Sequence, residues 1–344
     1  MPLFRRRSDE DAPEGRSGRW GLGFGRRTAS GTTARGTVEP VLDQALGDEE
    51  LRLMLAQAAA GDWVALGPAL AAVEDATELT RILIALSEVG GVEAWTDRAV
   101  AAEPGDALPL LLSGARHVSW AWEARTRARA AHVTEEQWKL FHQRLETAEE
   151  QLFEVAEREP SWLAPWYFLQ ISARGASLGR DVARYRFEAA LRRHPEHLAS
   201  HKQRLQQLCA KWGGSHDQMH EFARASMLAA PEGSPLGELV ALAHLERWLD
   251  LADGEDHAYL TSPAVRAELH EAARRSVLHP AYPRPRGWQS AYNTFAMAFS
   301  LADERETAHT LFEALDGAVT DSPWDYLAGD PVANFRAHRD RCAR

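Results

Sequence analysis

Residues 181–195 read DVARYRFEAALRRHP. Ala183, Phe187, Ala190 and Leu191 fall at the spacing that lines apolar groups along one face of a helix, and Pro195 stops that helix. The pattern returns upstream, less cleanly, in ETAEEQLFEVAEREP (146–160), through Ala148, Leu152, Val155, Ala156 and Pro160. It returns more weakly in VEAWTDRAVAAEP, which ends at Pro104. Pro160, Pro195 and Pro231 stand 35 and 36 residues apart. A helix of this kind cannot bury its apolar stripe alone, so the spacing predicts helical pairs stacked on one another.

That interval is close to the ~34-residue tetratricopeptide period, and residues 181–195 match the second helix of that repeat. From Pro104 to Pro160 the interval is 56 residues, so one unit has longer helices or an extra one. From about residue 46 the pattern is helical almost throughout, with no alternating strand and no Asn-Gly or Asp-Gly hairpin signal. Asp75 with Glu78, Thr134 with Gln137, Ser215 with Gln218, and Asp303 with Glu306 read as capping boxes. Ser262-Pro263 and Asp330-Pro331 put proline at a first helical position. Between two helical runs, KWGGS (211–215) reads as a corner, with Gly213 and Gly214 ending one helix and Ser215 capping the next. The fold class expected is all-α: a tetratricopeptide-like α-solenoid over residues 46–344, behind a disordered basic tail at 1–45.

Several segments carry a resemblance. They are Trp120 to Phe141 (WAWEARTRARAAHVTEEQWKLF), the helix ending at Pro160, Leu205 to Ala223 (LQQLCAKWGGSHDQMHEFA), and Asn293 to Leu315, with Trp324 beyond. In these the chain resembles an uncharacterised bacterial family of tetratricopeptide-like helical proteins, a domain of unknown function. Ala210 stands where that family usually has proline before Lys-Trp-Gly-Gly-Ser. The resemblance implies a fold and no reaction.

Composition narrows the function classes. The 344 residues carry a net charge of −11, which argues against a general nucleic-acid binder. Residues 1–40 hold eight arginines against five acids, with much Gly, Ser and Thr, a signature of disorder. Cys209 and Cys342 lie far apart, so neither a disulfide scaffold nor a zinc ribbon is expected and a reducing cytoplasm fits. No apolar run approaches the ~20 residues of a membrane helix. P-loop, GxSxG, dinucleotide and HExxH signatures are absent.

Candidate site residues therefore come from position and type. Trp122, Glu123 and Arg125 set an acid and a base in a tryptophan-rich helix, able to shape a polar pocket or to lock two helices in register. Lys211 and Trp212 at the corner could grip an anionic or aromatic group; alternatively the tryptophan packs and the lysine complements a helix end. Asn293 could offer its amide to a bound peptide or satisfy a neighbouring helix. His194, His197 and His201 cluster, and His216 and His220 have the i, i+4 spacing of metal ligands, although solvated or packed histidines explain them too. The irregular stretch from Arg275 to Gln289, with its prolines and arginines, could line a binding surface. The reading is a non-catalytic scaffold that holds a protein or peptide partner and uses no cofactor. The alternatives are an enzyme or a small-molecule or metal sensor with a pocket inside the stack, and a regulator acting through the basic tail.

Overall fold

A computed structural model describes residues 38–126 and 132–343, and they are all-α apart from one short strand pair. The expectation of a disordered tail falls on residues 1–37, outside the described residues, and on 38–45, which are ordered. The chain begins with α1 (Glu49–Ala60), α2 (Trp63–Ala71) and α3 (Ala76–Ser87). Asp48, Asp62 and Asp75 cap them, each carboxylate accepting the backbone N–H three residues on. Short α4 (Thr96–Ala102) leads to α5 (Leu108–Arg125) and α6 (Glu135–Arg158), which opens with a full Thr134–Gln137 capping box. Next come α7 (Ala164–Gly175), α8 (Arg180–Leu191), α9 (Leu198–Leu208), α10 (His216–Ala229) and α11 (Glu238–Asp250). The remainder is α12 (Glu255–Leu260), α13 (Pro263–Arg275), α14 (Gln289–Leu301), α15 (Arg305–Leu315), α16 (Asp321–Trp324) and α17 (Pro331–Cys342). Pro263 and Pro331 open their helices as expected, behind caps from Ser262 and Asp330. Asp303 does not cap: its φ of +57° turns the chain, and α15 starts after Glu304 without a side-chain cap.

Helices α5, α7, α9, α11 and α14 touch one another in series, and each packs on a partner: α6, α8, α10, α13 and α15 respectively. The two sets differ in composition. In α7, 11 of 12 residues are buried, and in α14, 10 of 13, because neighbours cover more than one side. The partner α6 buries only the stripe Phe141, Leu145, Ala148, Leu152, Val155 and Ala156. The first-set helices are not left open, since α3 lies against both α5 and α7. Gly175 ends α7 where a Cβ would meet Leu145 at 2.8 Å and Phe141 at 2.9 Å, so any larger residue would force those side chains to shift.

Two apolar cores result, one over residues 45–190 and one over 205–342, and Trp212 packs against both. The ends of the described chain also meet. β1 (Val41–Leu42) pairs in parallel with β2 (Ala318–Val319). Arg339 donates to the Val38 carbonyl at 2.7 Å, and Arg336 pairs with Glu39. Arg286, from the irregular Arg275–Gln289 stretch, pairs with Glu50 at 2.6 Å and Asp48 at 3.4 Å. Gln289 donates to the Leu46 carbonyl at 3.0 Å. Among the described residues no helix is long and apolar enough to cross a membrane.

Candidate functional site

The KWGGS corner turns as a 3₁₀ segment, Ala210–Trp212, between α9 and α10. Gly213 takes φ +83°, and Ser215 accepts the Gln218 N–H at 3.2 Å. Gly214 is required for a different reason: a Cβ there would stand 1.9 Å from the Leu208 carbonyl oxygen. The turn points Lys211 and Trp212 back into the protein. Lys211 Nζ lies 2.6 Å from Glu246, which is 3% exposed. Burial alone would raise the Glu246 carboxyl pKa, but Lys211, with hydrogen bonds from Gln206 and the Tyr326 hydroxyl, holds it below the usual carboxylate value. Trp212 meets Trp122 edge to face at 5.9 Å.

Beside both indoles lies Arg174, at the end of α7 and 5% exposed. Its guanidinium carbon is 5.9 Å from the Trp122 ring and 5.7 Å from the Trp212 ring. It donates to Gln203 Oε1 at 2.8 Å, and Gln203 in turn donates to the Tyr167 hydroxyl at 3.2 Å. Among the described residues no carboxylate comes within ion-pairing distance of Arg174. Its Nε and the indole N–H groups of Trp122 and Trp212 are buried without hydrogen-bond partners among the described residues. Burial brings the guanidinium pKa down to about 10, so it remains charged at neutral pH. A buried unpaired charge is costly, on the order of several kcal/mol, and two indole faces return only part of that.

Arg174 lines a pocket of about 70 Å³, shared by α3, α5, α7 and α9. Ser87, Ser119, Trp122, Tyr167 and Phe168 form its buried walls, and Ile84, Glu88, Ile171 and Gln203 are its partly exposed members. Burial raises the pKa of the Glu88 carboxyl. The volume suits a few waters or one small polar group, below the ~300 Å³ at which pockets for drug-sized ligands begin. The arrangement can desolvate a small anion, clamp it with a guanidinium and exclude bulk water.

The expected residues divide around this site. Trp122 and Trp212 are brought together on Arg174, and Arg125 stacks 5.5 Å from both Trp122 and Trp138. Glu123 belongs elsewhere, accepting from Arg116 at 2.6 and 3.0 Å while Glu93 holds the same guanidinium. Lys211 is committed to Glu246. Asn293 is fully buried, donating to Gln289 and Ala318 carbonyls and accepting from the Trp324 indole at 2.7 Å, so its amide serves the fold. His216 faces Asp250 at 3.5 Å, and His220 is not with it but beside His244 and Tyr259. His197 caps α9, its Nδ1 accepting the Ser200 N–H at 3.3 Å, and burial lowers its pKa to about 3. Sequence reasoning missed Arg174, Glu88, Tyr167 and Gln203. The one available signal was a lone arginine in APWYFLQISARG, a helix otherwise without charge. Comparison with protein-family models, curated proteins and solved structures finds no match for the chain, so the functional reading rests on this geometry.

Proposed function

We propose that the chain is a cytoplasmic, non-catalytic binding protein, a stack of tetratricopeptide-like helical pairs, that holds a protein or peptide partner by a carboxylate received at Arg174. The observation that carries this reading is a buried guanidinium with unpartnered donors around it, beside a pocket the size of a small polar group. The serial contacts of α5, α7, α9, α11 and α14 support the stacked-pair description. The resemblance to the bacterial helical family is compatible with it, because the Trp122–Arg125 and Lys211–Ser215 segments that carry the resemblance supply the tryptophans stacked on Arg174. Coverage of α5 and α7 by α3 favours a pocket that admits a chain end over a long open groove. A terminal carboxylate fits best, since a free chain end is narrow and carries two acceptors for a bidentate contact.

The test is calorimetric titration of the full chain with short peptides carrying free or amidated C-termini, alongside acetate and free amino acids. Free-acid peptides should bind, amidated ones should not, and Arg174→Gln should abolish the difference. Equal binding of both forms would overturn the reading. Binding of the small carboxylates alone would move it to the small-molecule sensor, a reading the pocket's size also favours.

A further inference from the structure

Helices α10, α11 and α13 bring together three side chains that the carboxylate reading does not use. His220, His244 and Glu268 each offer a ligand atom, and these atoms lie within 4.8 Å of one another. His244 Nε2 is 3.2 Å from Glu268 Oε2. Two donors on one tetrahedral ion stand about 3.3 Å apart, given bonds of about 2.0–2.1 Å. The Tyr259 hydroxyl, from α12, completes the group at 2.6 Å from His244 Nδ1 and 3.3 Å from His220 Nε2. Both imidazoles are buried, at 8% and 3% exposure, while Glu268 remains partly open to solvent and provides an approach.

Proton bookkeeping allows two states. Without an ion, Tyr259 donates to His244 Nδ1, His244 Nε2–H donates to Glu268, and His220 donates to the phenol oxygen. With an ion, His244 takes the other tautomer, donating from Nδ1 to Tyr259 and freeing the Nε2 lone pair. Tyr259 then fixes a ligating ring from behind, as outer hydrogen bonds commonly do.

We propose that His220, His244 and Glu268 bind a divalent transition-metal ion, zinc in the first instance, with the fourth position filled by water. Two imidazole nitrogens and a carboxylate, without thiolate, suit zinc over calcium, magnesium or copper(I). The ion ties α10, α11 and α13 together at one point. Two positive charges oppose it: Arg224 lies 2.9 Å from Glu268, and Arg247 sits 4.8 Å from the Tyr259 ring. Arg224 is about half exposed and can move into solvent, releasing Glu268 to the ion.

The experiment titrates metal-depleted, full-length protein with Co²⁺ and then Zn²⁺, reading the visible d–d absorption of bound cobalt. One equivalent of Co²⁺ should develop the absorption of a four- or five-coordinate nitrogen–oxygen site, and Zn²⁺ should displace it. His220→Gln and His244→Gln should each weaken binding by about 100-fold or more, and Tyr259→Phe by roughly tenfold. Arg224→Ala should tighten it by about fivefold, because Glu268 loses its competitor. No absorption with micromolar cobalt would overturn the proposal, as would absorption retained in both histidine variants. If those variants fail to fold by circular dichroism, Tyr259→Phe and Arg224→Ala decide it: unchanged affinity in both overturns the site.

Discussion

Replacing Arg174 with methionine keeps an unbranched apolar stem as far as the position of Nε and removes the charged head. In the folded protein burial pulls the pKa of that head down to about 10, which corresponds to roughly 3 kcal/mol of uncompensated charge. Against this stand the loss of the 2.8 Å bond to Gln203 and of two guanidinium–indole contacts, together on the order of 2 kcal/mol. The variant should therefore be more stable than the parent by about 1 kcal/mol, while losing carboxylate binding. That sign is diagnostic, since substitutions at buried positions ordinarily destabilise by about 1 kcal/mol. Urea unfolding at pH 7, with unchanged m-value, gives the comparison. The pH dependence runs the same way. Below about pH 10 the guanidinium is charged in both states and the burial cost is complete; it is relieved only as pH rises above that, where the unfolded chain still binds the proton. A loss of 2 kcal/mol or more on substitution would refute the reasoning and make Arg174 a prop of the fold.

Lys211→Met strands the Glu246 carboxylate in the interior and should cost about 3–5 kcal/mol; the double variant with Glu246→Gln should cost clearly less, as denaturant cycles will show. Because the folded Glu246 pKa lies below its ordinary value, its contribution is present at neutral pH and is lost as pH falls through the carboxylate range towards that depressed value. Gly214→Ala collides with the Leu208 carbonyl and should destabilise by more than about 3 kcal/mol, whereas Gly213→Ala meets nothing and should cost only about 1 kcal/mol for its positive φ. His197 is held neutral, its pKa down at about 3, so stability is complete above pH 6.5 and falls below it, by about 2 kcal/mol at pH 5. His197→Asn, which preserves a cap acceptor, should flatten the difference between pH 7 and pH 5 in chemical denaturation.

Legibility in the sequence tracked the range of the interaction. The caps at Asp75, Thr134 and Ser215 and the turn at Gly213 are settled within a few residues, and a single sequence displays them. Glu123 and Arg125 misled for a local reason. Residues two apart point to different sides of a helix, while Glu123 and Arg116, seven apart, share one face and do pair. The pocket was hidden because Trp122, Arg174 and Trp212 are brought together by three separate elements, and nothing near Arg174 in the sequence says which rings will flank it. His244 and Glu268 beside His220 were hidden in the same way. The β1–β2 pair is only two residues long on each side, too short for alternation to register.

That small strand pair has a consequence for how the chain is made. Synthesis delivers Val41 early, yet its partner Ala318 only after the helices between them have been assembled. Arg286 and Arg336, which hold Asp48 and Glu39, also arrive late. The middle helices can pair with near neighbours as they emerge, but the first segment must wait for the last. Closing so long a loop makes this contact a late step of folding.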